Sequence, residues 1–200
     1  MNPRLIDCAS IVAQPWRNGG GMTRELLAAP DSQNWQYRIS VADINGDGAF
    51  SSYPGVDRWF AVLEGEGVYL QIDGNGHRQL PHEEPLRFDG AAQIHCRLLG
   101  GATRDLNLML RNVSGRMQRA DAGIAWSATD GACGLFATHP GHCHIADQGD
   151  ARKAVVVPMP AFSLLWFERS PGRLIFEADR AGEARIGYWL AVQTEPTASC

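Results

Sequence analysis

The sequence predicts an all-β fold made of two small β units, a double jelly roll or double barrel. Three observations carry this. Short runs of period-two alternation are separated by clusters of Gly, Asn, Asp and Pro, the pattern of strands bounded by turns. No segment of ten or more residues repeats its apolar positions at helical spacing. A polar, apolar-poor stretch, SGRMQRADAG (residues 114–123), falls near the middle of the 200 residues, with strand-like segments on both sides. The first unit is therefore placed at residues 1–112 and the second at 113–200. A chain of this length buries a full core without disulfide or metal staples.

Taken in order, PWRNGGGMTRELL (residues 15–27) comes first. Three consecutive glycines suit neither helix nor strand, and serve a turn or a place where another group must approach closely. In WQYRISVA, Trp35, Tyr37, Ile39 and Val41 share one strand face, and Gln36, Arg38, Ser40 and Ala42 share the other. GAFSSYPG (residues 48–55) sets Phe50 and Tyr53 among turn residues, as the rim of a pocket or as a loop pinned to the core by two aromatics. RWFAVLEGEGVYLQIDGNG reads as a meander with turns at residues 64–67 and 73–76. In RDLNLMLRNV, Leu106, Leu108 and Leu110 face one way while Asp105, Asn107, Met109 and Arg111 face the other. Residues 114–123 are read as the connection. Beyond it, KAVVVP, FSLLWFE, GRLIFEA and RIGYWLAVQ are strand-like and aromatic-rich; Trp166, Phe167, Tyr188 and Trp189 suit either a core or a homodimer surface.

Charge and cysteine usage exclude several classes. The net charge is -4, with 18 basic and 22 acidic residues and no run of Lys or Arg, which leaves no footprint for nucleic acid or an anionic membrane. Lys153 is the sole lysine, so any paired cation is an arginine, suited to bidentate carboxylate recognition. Five scattered cysteines without a CxxC pair argue against a disulfide framework. Asp7 and Cys8 break the apolar start that a secretory signal needs, which points to the cytoplasm. The longest apolar segment, residues 155–167, contains Pro158, Pro160 and Ser163 and is too short to span a bilayer.

The candidate chemistry lies on the polar strand faces. Thr23 and Glu25 share a face if extended, as do Arg38 and Ser40, and Arg58 opens a further strand. These side chains line either an enclosed lumen or the solvent face of an antiparallel sheet; alternation separates faces without saying which is enclosed. In the second half, His139, His142 and His144 cluster with Cys133, Cys143 and Asp147, and His142 and His144 have the i, i+2 spacing of a strand-borne metal pair. Pro140 and Gly141 mark a loop, however, and no later histidine completes the set, so no metal residue is assigned. There is no nucleophile elbow, and the triple glycine lacks the Gly-Lys-Ser/Thr ending of a phosphate loop. No catalytic residue is assigned.

The ordered set PWRNGGGMTREL, WQYRISVADINGDGAFSSYPGVDR, LEGEGVYL and DLNLMLRN resembles the HutD/Ves family of bacterial bicupins over about the first 112 residues. The family's Trp-Lys/Arg-Asn-Gly-Gly-Gly-x-Thr-x-Glu element matches Trp16 through Glu25, its Arg-x-Ser element matches Arg38 and Ser40, and its Phe-Ser-x-aromatic-Pro-Gly-x-x-Arg element matches Phe50 through Arg58. The resemblance implies two cupin barrels, a polar pocket and a role independent of metal or other cofactor. It further implies a gene-context link to histidine utilisation or stress induction, with a small carboxylate such as N-formylglutamate as ligand. On this reading Asn18, Thr23, Glu25, Arg38, Ser40, Phe50, Tyr53 and Arg58 bind the ligand. Arg38 and Arg58 clamp carboxylate, and Glu25 orients an arginine or accepts an amide N–H. The alternative is an enzyme, either a metal-dependent cupin using His142 and His144 or a metal-free hydrolase or isomerase with Glu25 as base.

Overall fold

The computed structural model describes residues 3–16, 19–128, 130–147 and 150–193. Strand β1 (Arg4–Asp7) leads into a 3-10 turn at Cys8–Ser10. Then follow β2 (Gln14–Pro15), β3 (Gly21–Ala29), β4 (Tyr37–Ile44), β5 (Gly48–Ala49), β6 (Asp57–Glu64), β7 (Val68–Ile72), β8 (Asn75–Gln79), β9 (Leu86–Asp89), β10 (Ile94–Leu98) and β11 (Thr103–Leu110). The remaining strands are β12 (Ser114–Asp121), β13 (Trp126–Ser127), β14 (Ala132–Ala137), β15 (Gly141–Asp147), β16 (Asp150–Met159), β17 (Ser163–Phe167), β18 (Arg173–Ala178) and β19 (Arg185–Gln193). No helix among the described residues is long and apolar enough to cross a membrane.

The chain divides into two compact units. The first, Ile11–Asn112, pairs a six-stranded sheet, ordered β2-β3-β4-β11-β6-β9, with a four-stranded one, ordered β5-β10-β7-β8. All ladders are antiparallel, and β11 is central, running beside β4 from Thr103↔Ile44 to Leu110↔Tyr37 and beside β6 on its other edge. Alternation puts Ile39, Val41, Leu106 and Leu108 on one face, all of them buried. The opposite face carries the polar set Arg38, Ser40, Asn107 and Arg58. At its deeper end Phe60, Val62 and Ile44 pack with Val68, Leu70, Phe88 and Ile94 into a barrel core.

Two local features explain the glycine and aspartate placements. The β7–β8 hairpin turns on Asp73 (φ 45°) and Gly74 (φ 85°), the double positive φ that a two-residue hairpin loop favours. Gly21, the last of the three consecutive glycines, opens β3 where a Cβ would sit 2.5 Å from the Asp43 carbonyl oxygen and 3.1 Å from the Trp16 ring. Trp16 N–H donates to the Gly21 carbonyl at 2.9 Å and Gly19 N–H to the Trp16 carbonyl at 3.0 Å, so the run closes a tight turn beneath an indole. Gly21→Ala is expected to cost about 1–3 kcal/mol, as overpacking does, read from the urea midpoint. An unmoved midpoint would mean that Trp16 is not seated on that backbone.

The second unit joins β1 to the chain from Val113 onward. Its sheets are ordered β1-β17-β14-β19-β12 and β13-β18-β15-β16. Residues 3–10, expected in the first unit, thus belong to the second, because β1 pairs with β17 from Arg4↔Trp166 to Asp7↔Ser163. Residues 114–121, expected as a connection, form edge strand β12 paired with β19. Only Met117 and Ala120 are buried there, too few to show a period-two signal. Its interior is apolar: Trp126 and Trp189 stack at 4.8 Å and 3° among Leu135, Leu165, Phe167 and Phe176. Trp166, Phe167, Tyr188 and Trp189 are at most 2% exposed within the single chain, which removes them as a homodimer surface.

Candidate functional site

In the first unit the polar faces of β4, β11 and β6 turn inward around a cavity of about 550 Å³. Arg38, Ser40 and Ala42 come from β4, Asn107 and Met109 from β11, and Arg58 and Phe60 from β6. Gln14, Pro15, Trp16, Thr23, Ile44, Ala49, Phe50, Ser51 and Tyr53 complete the wall. The volume falls in the range of small-molecule sites.

Arg58 is the dominant charge. It is 6% exposed, and no carboxylate among the described residues pairs with it. Its Nη2 donates to Asn107 Oδ1 at 3.0 Å, its Nη1 makes a longer 3.4 Å contact to the Ser51 carbonyl, and its Nε has no partner among the described residues. The guanidinium lies 5.1 Å from the Phe88 ring centroid, 5.4 Å from Phe50 and 5.7 Å from Tyr53. Burial lowers its pKa from 12.5 to about 10; Tyr53 acts the other way and the neighbouring Arg38 charge reinforces the fall. A cation held under this penalty, with donors unused, is arranged to meet an anion.

Arg38 is half neutralised, its Nε 2.8 Å from Glu25 Oε2. Glu25 also accepts from the Ser32 hydroxyl. Glu25 pairs with Ser40 on the face shared with Thr23, ahead of a bulge that shifts the β3 register before Leu27; it is not among the residues of the cavity wall and holds Arg38. Thr23 does reach the wall, where its Oγ1 accepts the Trp16 indole N–H at 2.7 Å. Trp16 meets Phe50 edge-on at 6.4 Å.

The cavity therefore gathers Thr23, Arg38, Ser40, Phe50, Tyr53 and Arg58 from the expected set. Asn18 lies outside the described residues. Trp16, Asn107 and Met109 join the wall without having been singled out as ligand contacts. The signal for Asn107 and Met109 was present, since both lie on the polar face read in residues 105–111.

Deeper on the same face, Asp105 is fully buried. Thr103 Oγ1 donates to its Oδ2 at 2.9 Å, and its Oδ1 has no partner among the described residues. Burial pushes its pKa well above 3.8; the Thr103 hydrogen bond opposes this and the Asp43 charge adds to it. On the other face, Asp43 holds both Arg24 and Arg104, the latter at 2.8 Å, and Arg104 continues to Glu64 at 3.0 Å. Burial raises the Asp43 pKa, but hydrogen bonds from Arg104 and Arg24 outweigh it, leaving a net fall. Cys8, Cys96, Cys133 and Cys143 are buried, and none of the four is in a disulfide. Burial raises the Cys96 and Cys143 thiols to about 12 and Cys133 to about 11, far from a thiolate nucleophile.

The histidine cluster resolves into separate pairs. His142 and His144 lie on strand β15, not in the expected loop, and each faces a carboxylate: His142 Nδ1 is 3.1 Å from Asp179 and His144 Nε2 is 3.3 Å from Glu177. His139 Nε2 is 3.0 Å from Glu183. Among the described residues no three His, Cys, Asp or Glu side chains gather as a metal-holding group.

Two antiparallel jelly-roll units, one of them keeping a polar lumen, define a bicupin. Within that class the HutD family profile matches residues 8–186, and the chain belongs to this family. An uncharacterized 21.2 kDa protein in the hutC 3' region of Pseudomonas putida is 37% identical over 137 residues, 68% of each chain. Protein Ves of Citrobacter koseri is 38% identical over 108 residues, 53% of this chain and 56% of that one. The structure of HutD from Pseudomonas fluorescens SBW25, in a formate condition, superposes with a TM-score of 0.78 at 23% identity, covering 98% of this chain and 100% of that chain. That likeness is one of fold.

Proposed function

We propose that the protein is a metal-independent cytoplasmic receptor for a small carboxylate, with a regulatory or buffering role in histidine utilisation or the stress response. The observation that carries this reading is Arg58, a buried guanidinium in a cavity wall with no carboxylate partner among the described residues. Arg38 supplies a second, partly neutralised cation. The relatives agree in direction: one lies in a hutC region, and the Pseudomonas fluorescens HutD structure was obtained in a formate condition. A catalytic reading has no comparable observation behind it, because Glu25, its candidate base, is engaged by Arg38 and Ser32.

The test is thermal unfolding with and without N-formylglutamate, glutamate, urocanate and formate. A ligand present at about 100 times its Kd adds roughly 2.7 kcal/mol, which is several degrees for a chain of this size. A shift with one of the four is the expected outcome. No shift with any at millimolar concentration detaches the cavity from histidine breakdown.

A further inference from the structure

We infer that the outer face of the four-stranded sheet of the first unit is a docking surface for an acidic, extended peptide segment of a partner protein. The inference is independent of the cavity. Strands β5, β10, β7 and β8 contain no Asp or Glu, although the chain has 22 acidic residues. Arg97 pairs across the ladder with Tyr69, and Tyr69 with Arg78, so an aromatic stands between two arginines in one row. Alternation sends these three outward together, with His95 and Gln71 in the next row, and all five are exposed. In the six-stranded sheet Arg24, Arg38, Arg87 and Arg104 each hold a carboxylate, whereas Arg78 and Arg97 hold none among the described residues. At the sheet's margins Asp47 accepts the Leu98 N–H and Asp73 the Gln93 N–H.

Gly76 supplies the second observation. The hairpin turn takes its positive φ at Asp73 and Gly74, and Gly76 is already inside β8, where a glycine weakens a strand and calls for another reason. A Cβ there would stand 1.8 Å from the Tyr69 hydroxyl oxygen and 2.6 Å from its Cζ. The Tyr69 side chain therefore lies across the neighbouring strand over bare backbone, with the Arg97 guanidinium 5.4 Å from the ring centroid. The ring offers an apolar seat, and the arginines on either side offer bidentate sites for carboxylates. Adjacent strands are about 4.8 Å apart, which sets the two arginine backbones roughly 10 Å apart. An extended segment with acid, apolar and acid residues at i, i+2 and i+4 turns all three to the sheet over about 13 Å, a span that long arginine side chains cover. A single-stranded nucleic acid fits less well. It stacks successive bases on several aromatics along a cationic groove, and this face has one ring and two guanidinium groups in a chain of net charge -4.

Amide chemical-shift mapping on the full chain at low salt tests this with the end-blocked peptide Glu-Ser-Leu-Ser-Glu. The expected result is a set of shifts confined to β7, β8 and β10, with about tenfold weaker binding of Gln-Ser-Leu-Ser-Gln, the worth of two exposed ion pairs. Arg78→Gln and Arg97→Gln are each expected to weaken the acidic peptide by about threefold. Gly76→Ala, which drives Tyr69 from its seat, is expected to weaken both peptides. Equal binding of the two peptides, no shift at millimolar peptide, or shifts centred on Arg38, Arg58 and Asn107 instead overturns the inference and leaves the carboxylate reading of the cavity standing. Tighter binding of a thymidine decamer than of the acidic peptide on the same face overturns it in favour of a nucleic acid.

Discussion

Arg58→Met is expected to stabilise the ligand-free protein by about 1 kcal/mol while lowering carboxylate affinity by about a hundredfold or more. The two effects come from one cause. A fall in pKa from 12.5 to about 10 corresponds to about 3 kcal/mol of unfavourable burial of the charged form. The sign follows from linkage. Arg58 is protonated in both folded and unfolded chains at neutral pH, so the penalty is fully present there and is relieved only as pH rises past about 10. Methionine keeps the aliphatic stem among Phe50, Tyr53 and Phe88 and removes the charge. Against this gain stand the Asn107 and Ser51 oxygens that lose a donor, at about 1 kcal/mol each, which reduces the net. At 2–4 °C per kcal/mol for a chain near this size, the melting temperature should rise by roughly 3 °C. Opposite signs for stability and affinity mark a residue kept for binding. Loss of stability on this substitution would sink the account of Arg58 as an uncompensated cation.

Asp105→Asn carries the second large effect, and it depends on pH. The native carboxyl has a pKa raised well above 3.8 by burial, so the folded state holds its proton more tightly than the unfolded chain does. Stability from this group is complete below about pH 4 and is lost at up to about 1.4 kcal/mol per pH unit as pH rises toward the native value. Asparagine has a similar shape, keeps a donor and an acceptor for Thr103, and does not titrate. The variant and the parent should therefore unfold at similar urea concentrations near pH 4 and diverge above it, with the variant the more stable at pH 8. The groups that act on Asp105 are few: Thr103 bonds it, while Asp43 and the Cys96 thiol lie within electrostatic range. A constant difference between the two proteins from pH 4 to 8 would mean that Asp105 is charged in the native state throughout.

The strand faces of the first unit were legible because period two is a local property. Arg38, Ser40 and Asn107 could be assigned to one side of β4 and β11 from spacing alone. Their enclosure could not, since a solvated sheet and a barrel lumen alternate in the same way, and the difference lies in long-range pairing of β5, β7, β8 and β10. Glu25 shows a second limit. Spacing put it beside Thr23 on one face, and the ladder keeps it there opposite Ser40, but spacing could not show that its carboxylate is taken up by Arg38; the bulge that follows it, before Leu27, also leaves little mark in sequence. Strand β12 was read as a linker because an edge strand with two buried side chains lacks the apolar content that makes alternation visible. His142 and His144 were read as loop because Pro140 and Gly141 precede them, whereas Gly141 is the first residue of β15 and pairs with Met159 and Ala178.

The stacked Trp126 and Trp189 fill the middle of one unit, while the other keeps its cavity. On the proposed reading, a chain with a polar lumen in one unit and an apolar interior in the other offers a lumen ligand one site, however alike the two architectures are. Monovalent sites cannot cooperate within a chain, so occupancy follows a simple hyperbola and takes roughly two decades of ligand concentration to pass from mostly empty to mostly full. On the proposed reading, such a response would grade metabolite levels smoothly instead of switching at a threshold. Sharpness would then have to come from association between chains or from a step downstream.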